Sequence, residues 1–217
     1  ESRRRRTSVA VAALALAATA PANAQTDAPA GQQQFEKLWL GSAWYPEQWP
    51  EERWAEDLRL MKAHGANVVR IGEYAWSRME PEEGKYDMDW LVRAVRLAAK
   101  YDIKVVIGTP SDTPPAWMTQ KYPDVSQIQS NGQKVGHGGR RQFSISSRRY
   151  RDFCREIVAR MAQALGREPN VMGWQIGNEP TDESYDPEAR AAWVAWLKQR
   201  YGTLDKLNAA WTTQYWS

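Results

Sequence analysis

A chain of 217 residues has room for one domain or at most two small ones. With 42% hydrophobic and 25% charged residues, its composition is that of an ordinary globular protein, which excludes disorder throughout, a collagen-like repeat and a polytopic membrane protein. The single cysteine, Cys154, excludes an internal disulfide and a cysteine-rich zinc site, and two histidines, His64 and His137, leave little for a histidine-based metal centre. The formal net charge of +3 is an N-terminal matter: residues 1–24 hold Arg3, Arg4, Arg5 and Arg6 against Glu1, and the remainder carries 25 basic and 25 acidic residues. That body lacks the basic bias of a nucleic-acid footprint. Twelve tryptophans call for another explanation.

Residues 1–24 have the order of a secretory signal: a basic start, the apolar run Val9 to Ala18, then small residues ending in Ala22-Asn23-Ala24. Cleavage after Ala24 and a secreted or periplasmic protein are expected, with no stable membrane insertion afterwards, since the apolar run is short for a bilayer span. An uncleaved anchor helix is the alternative. Residues 25–37, with Gln, Ala, Asp and Pro, read as a flexible lead-in.

From residue 38 the hydrophobic period alternates. Leu38 to Ser42 is a first short apolar run. Pro50-Glu51-Glu52 suits the first turn of a helix, whose face is Trp54, Leu58 and Met61 and whose stop is His64-Gly65. Asn67 to Ile71 is the second strand. Asp87 is the expected N-cap of the next helix, with Leu91, Val95 and Ala98 inward. Lys104 to Gly108 is the third strand. Ser146 or Ser147 caps a third helix, in which Tyr150, Phe153, Cys154, Ile157, Val158, Met161 and Leu165 repeat at helical spacing. Val171 to Ile176 is the fourth strand. Asp186-Pro187-Glu188 opens a fourth helix, with Ala192, Trp193, Trp196 and Leu197 expected inward and Gly202 after its end.

Alternating apolar strands and helices point to a parallel α/β sheet. A doubly wound nucleotide fold needs a Gly-rich turn after the first strand, but the sequence there is Ala43-Trp44-Tyr45-Pro46-Glu47, and neither G-x-G-x-x-G nor a P-loop occurs. The eight-fold (β/α)8 TIM barrel remains. Four units occupy residues 38–201, so eight would need roughly 330 residues. The expectation is the first half of such a barrel, with Thr203 to Ser217 as a short tail.

In a barrel, chemistry sits just beyond the C-terminal ends of the strands. The segments in that position hold Trp44, Tyr45 and Glu47, then Glu73, Tyr74 and Trp76. The long connection from Thr109 to Phe143 carries Trp117, His137, Arg140 and Arg141, and the fourth strand is followed by Asn178 and Glu179. Aromatic faces with polar groups between them suit a carbohydrate. Trp54, Trp193 and Trp196, on helix faces, read as core; for Trp44, Trp76 and Trp117, core and sugar platform stay open. Glu179, three positions past a buried strand, reads either as a group that could protonate a leaving-group oxygen, with Asn178 beside it to hold a hydroxyl, or as an ordinary acidic loop residue.

Several segments together resemble family 42 of the glycoside hydrolases, the microbial β-galactosidases. They are Trp44-Tyr45-Pro46-Glu47-Gln48-Trp49 with Arg53-Trp54, Arg70-Ile71-Gly72-Glu73-Tyr74-Ala75-Trp76, Gly108-Thr109-Pro110, Thr113-Pro114-Pro115-Ala116-Trp117 and Gln175-Ile176-Gly177-Asn178-Glu179. The tail from Arg200 to Ser217 fits too. The resemblance runs from about residue 38 to 217, the N-terminal half of the catalytic barrel. It implies a retaining β-glycosidase in which Glu179 is the acid/base and Asn178 binds the 2-hydroxyl of the sugar. Arg70, Arg140 and Trp216 would contribute to the sugar subsite. The nucleophile it implies is a second Glu after a seventh strand, so these 217 residues alone are expected to be inactive. No cofactor is implied. Many members carry cysteines that hold zinc, but Ser144 stands at the first such position and residues 180–187 contain no Cys, so no metal site is expected. The resemblance also implies a homotrimer for the complete protein.

The substrate expected is a terminal β-galactoside, or alternatively an α-L-arabinopyranoside or another β-glycoside. The rival from another class is a truncated, non-catalytic sugar-binding remnant. A serine hydrolase is disfavoured, because G-x-S-x-G is absent.

Overall fold

The computed structural model describes residues 38–139, 141–179 and 183–213. The expected signal at 1–24, the lead-in at 25–37, Arg140 and Trp216 lie outside the described residues.

Four strands, β1 (Gly41–Ala43), β2 (Val68–Ile71), β3 (Lys104–Gly108) and β4 (Val171–Gln175), form one sheet in the order β1-β2-β3-β4. Every neighbouring pair is parallel. Each strand therefore steps to the next in sequence, which is barrel order; a doubly wound sheet reverses direction at a switch point. The crossovers carry helices α1 (Glu51–Ala63), α2 (Trp76–Met79), α3 (Asp89–Lys100), α4 (Ala116–Lys121) and α5 (Arg148–Leu165), and α6 (Pro187–Tyr201) and α7 (Leu204–Trp211) follow β4.

Strand periodicity divides the two faces of the sheet. Val69 and Ile71 on β2 and Val105 and Ile107 on β3 are buried in the core, where Leu58, Leu91, Val95, Ile157, Met161 and Leu165 of the helices meet them. Val68, Arg70 and Val106 lie on the opposite, inner face. On β4 the phase changes. Val105 pairs with Val171, yet Val106 pairs with Gly173, so Met172 is an extra residue in the ladder. That bulge returns Trp174 to the core side, opposite Ile107, and puts Gln175 on the inner face, opposite Gly108.

The helix signals largely hold. Ser147 caps α5 by accepting from Tyr150 N, and Asp186 caps α6 by accepting from Ala189 N, with Pro187 in the first turn. Gly202 ends α6 with a φ of 77°. Three expectations need correction. The first strand is Gly41–Ala43, not residues 38–42; Trp39 and Leu40 are exposed. Leu40 is instead held by Asn67, whose side-chain oxygen accepts from Leu40 N and whose backbone N–H donates to Leu40 O. Asp87 does not cap α3, which starts at Asp89; its carboxylate accepts from Asp89 N in a tight local turn before the helix.

The inward face expected on α6 is not buried. Trp193 and Trp196 are 50% and 44% exposed and stack on each other at 5.1 Å. Among the described residues the sheet ends at β4, so no strand faces that stripe. Cys154 is half-buried on α5, and burial pushes its thiol up to about 12, which keeps it an inert neutral group. No helix among the described residues is long and apolar enough to cross a membrane.

Asp186 joins two loops. Its carboxylate accepts from Ser144 Oγ at 2.5 Å and Ala189 N at 2.9 Å, and both Ser144 and Asp186 are buried. Burial pushes this carboxyl up, but the hydrogen bonds from Ser144, Ser184 and the Ala189 and Glu188 backbone outweigh it and hold the group below the usual aspartate range. A depressed folded-state pKa gives stability that is present above the unfolded value, about 3.9, and lost as pH falls through the folded value. Asp186→Ala should therefore cost about 1–2 kcal/mol at pH 7, the size of a lost N-cap. The difference from the parent should shrink as pH drops below about 3.9. Urea unfolding at pH 7 and pH 3 checks this; an equal loss at both would show that the charge contributes nothing.

Candidate active site

The site is assembled at the C-terminal end of β2. Arg70 points to the inner face, Gly72 follows with a φ of 96°, and the turn brings Glu73 back beneath the guanidinium. Glu73 is completely buried. It takes the Arg70 fork in a bidentate pair, Nε to Oε2 at 2.8 Å and Nη2 to Oε1 at 2.7 Å. Those hydrogen bonds, more than they are opposed by burial, raise the guanidinium above its usual range. Tyr45, just after β1, donates its hydroxyl to Glu73 Oε1 at 3.2 Å. Burial, then the Glu73 charge, raises the Tyr45 hydroxyl. Glu47, two residues on, has a buried Oε2 without a hydrogen-bond partner; burial raises its carboxyl, and the Glu73 charge adds to that.

From Arg70 the network crosses to β4. Arg70 Nη1 donates to Gln175 Oε1 at 2.8 Å, and Gln175 Nε2 donates to Asn178 Oδ1 at 3.1 Å and to Gly177 O at 3.0 Å. Asn178 Nδ2 donates to the Tyr74 hydroxyl at 2.8 Å, and Tyr74 stacks on Tyr45 with ring centroids 6.2 Å apart. Thr109, beyond β3, accepts from Gly177 N at 2.8 Å. All four strand ends are thus tied together by polar groups.

The turn after β4 sorts its two functional candidates. Gly177 and Glu179 both have positive φ, 66° and 48°. For a residue with a Cβ that conformation costs roughly 1–2 kcal/mol. Asn178 is buried by this turn, while the Glu179 side chain is 65% exposed. Arg141 reaches it, with Nη2 2.9 Å from Glu179 Oε2 and 3.5 Å from Asn178 O. The pair is too exposed on its acidic side to add much stability; it orients the carboxylate.

Of the residues expected at a site, the structure therefore brings Arg70 and Asn178 into one network and places Glu179 at its rim. Gln175, read in the sequence only as part of a strand, is the link between Arg70 and Asn178. Glu73, Tyr74 and Arg141 were visible as polar residues beyond strand ends, without roles. The three tryptophans left open are scaffold. Trp44 and Trp76 are buried in the core, and Trp117 packs against it. Trp76 Nε1 donates to Glu80 Oε2 at 2.8 Å and Trp117 Nε1 to Glu80 O at 2.9 Å. Trp44 meets Trp54 edge to face. His137 is held among its own loop, 2.8 Å from Gln142 Nε2 and 3.0 Å from Thr119 Oγ1. A cavity of about 860 Å³ opens elsewhere, lined by residues including Ile128, Tyr185, Arg190 and Trp193, and contains none of the network groups.

Comparison with known proteins fits this geometry. The glycoside hydrolase 42 family model, described as beta-galactosidase, matches residues 43–217. The chain is 43% identical over 182 residues to Beta-galactosidase BgaA of a Thermus species, covering 82% of this chain and 28% of that protein. It is 40% identical over 184 residues to Beta-galactosidase YesZ of Bacillus licheniformis, covering 83% and 28%. Among solved structures, the beta-galactosidase from Rahnella sp. R3 superposes with a TM-score of 0.81 at 36% identity, covering 85% of this chain and 28% of that one. The chain thus spans little more than a quarter of the length of these relatives. The four-stranded sheet corresponds to the first half of a barrel.

Gly108 is where this site meets the sheet. A Cβ there would lie 2.6 Å from Glu73 Cβ and 3.1 Å from Glu73 Cα, both fixed by the turn and by Arg70. Gly108→Ala should push Glu73 away from Arg70 and destabilise the fold by about 1–3 kcal/mol, the usual cost of overpacking. Chemical denaturation measures this; a variant as stable as the parent would show that the Glu73 turn has slack.

Proposed function

Because the chain belongs to glycoside hydrolase family 42, we propose that the complete protein containing it is a retaining β-galactosidase, with Glu179 as its general acid/base. The observation that carries this reading is the Gly177-Asn178-Glu179 turn at the end of β4. It offers one carboxylate to solvent while anchoring the neighbouring amide to Arg70 through Gln175. A galactosyl unit would lie over the inner ends of the strands, with the glycosidic oxygen toward Glu179. Arg70 and Asn178 would donate hydrogen bonds to its hydroxyls, and Arg140 and Trp216 are proposed to complete the subsite.

In the first displacement a second carboxylate attacks the anomeric carbon as the glycosidic bond breaks, and Glu179 gives its proton to the leaving oxygen. In the second, Glu179 removes a proton from water, which attacks the same carbon and releases the sugar with its configuration retained. Glu73 cannot be the nucleophile, since both of its oxygens are engaged by Arg70. The nucleophile is proposed to come from a part of the complete protein corresponding to the three quarters of the relatives that this chain does not match, so that residues 1–217 alone do not turn over substrate. We also propose export: residues 1–24 act as a cleaved secretory signal.

Glu179→Ala in the complete protein should slow β-galactosides with poor leaving groups by about 10²–10⁴-fold, the usual contribution of general acid catalysis. Substrates with activated nitrophenolate leaving groups should be hit far less in the first step, and added azide should restore their turnover. Equal losses on both, with no azide effect, would remove Glu179 from the acid/base role. For export, N-terminal sequencing of protein recovered from the source cells should begin at Gln25; a start within residues 1–24 would overturn the cleavage.

A further inference from the structure

We propose that Gln175 is a positioning residue that fixes which end of the Asn178 amide is donor and which is acceptor, by relaying the donor character of Arg70 across the sheet; the proposal rests on the β-galactosidase reading of the site. Side-chain amides have two nearly isosteric ends, and their orientation is set by the network around them. Here the network has an unambiguous origin. A guanidinium has five N–H donors and no acceptor, so the Gln175 atom 2.8 Å from Arg70 Nη1 must be its oxygen. Gln175 then presents Nε2 to Asn178, and the Asn178 atom 3.1 Å away must be Oδ1. Nδ2 is thereby turned to the Tyr74 hydroxyl at 2.8 Å, which accepts. Each assignment forces the next.

Both ends of this relay are held. Arg70 cannot swing away, because the completely buried Glu73 carboxylate grips its other two nitrogens. Asn178 is buried, on a turn fixed by Thr109 at Gly177 N. Nδ2 carries two hydrogens and Tyr74 uses one. A sugar hydroxyl arriving at the Nδ2 end of Asn178 therefore meets an N–H of fixed polarity. The side-chain partners of Gln175 in this arrangement are Arg70, Asn178 and Gly177 O, so its proposed role is exerted through Asn178. Its placement depends on the Met172 bulge, which turns Gln175 to the inner face.

The test uses the complete protein and two variants. Gln175→Glu keeps an oxygen for Arg70 but sets a carboxylate against Asn178 Oδ1, so the amide must turn over. Gln175→Met removes the links to Arg70 and Asn178 together with the hydrogen bond to Gly177 O. The substrates are nitrophenyl β-galactoside and its 2-deoxy counterpart, since the family resemblance gives the 2-hydroxyl to Asn178. The parent should prefer the hydroxylated substrate in kcat/KM. Both variants should lose about tenfold or more of that preference, the scale of one lost polar contact, while the 2-deoxy substrate changes little. Combined with Asn178→Ala, neither should lower the preference beyond what Asn178→Ala does alone. Equal slowing of both substrates, or an unchanged preference in Gln175→Glu, would overturn the proposal. If the parent cleaves neither substrate, the β-galactosidase reading is what fails. Exchange of the Asn178 side-chain amide hydrogens, followed by NMR, then decides the relay alone: they should exchange at least about tenfold faster in Gln175→Met, where the amide loses the contact that fixes its orientation, and unchanged exchange in that variant would sink it.

Discussion

The buried pairing of Glu73 with Arg70 is the constraint on which the site depends. A carboxylate with no exposed surface is tolerable only if its charge is matched and its lone pairs are used, and the two-pronged contact with Arg70, supplemented by Tyr45, does both. Stranding such a charge by removing its partner costs about 3–5 kcal/mol, so Arg70 is locked by the folding requirement of its neighbour. Its remaining nitrogen is then a fixed donor facing β4. Rigid placement of Arg70 follows from a demand of the fold, which is the usual way a side chain on a strand end achieves positional accuracy.

The sheet makes this possible through two local departures from regularity. Gly108 leaves a gap beside β2 that Glu73 fills; with a side chain there the carboxylate would have no place under Arg70. Met172 adds one residue to β4, and a one-residue slip exchanges the faces of everything that follows. Without it Gln175 would point into the helical layer and Trp174 toward the inner face. Bulge and glycine lie on either side of the same strand pair, since Gly108 is the register partner of Gln175.

The abundance of tryptophan has a structural explanation over most of the described residues. Trp44, Trp54, Trp76 and Trp90 are buried. Three of them direct their indole N–H to a partner, at Asp57, Pro46 and Glu80 respectively, which is how a large ring with one polar atom is accommodated inside a protein. Trp193, Trp196 and Trp211 are a different population, exposed and stacked together on α6 and α7. The same helical spacing that correctly marks Trp54 as core thus marks Trp193 and Trp196 as apolar-faced without saying whether anything covers that face.

Much was legible in the sequence. Apolar runs located all four strands, β1 being displaced toward its C-terminal end, and residue type and position marked Ser146 or Ser147, Asp186 and Gly202 as helix boundaries because capping is decided within a few residues. Position beyond the fourth strand marked Asn178 and Glu179, and the family resemblance added Arg70 to them. What the tertiary structure alone decided is how the group is wired. The Gln175 link joins residues 105 positions apart, and its direction hangs on a bulge visible only in the pairing of β3 with β4. Burial of Asn178 beside an exposed Glu179 is set by two left-handed backbone angles. Sequence pattern reports periodicity within a segment; register and backbone handedness at a turn are settled between segments, by which neighbour each strand meets and where it meets it.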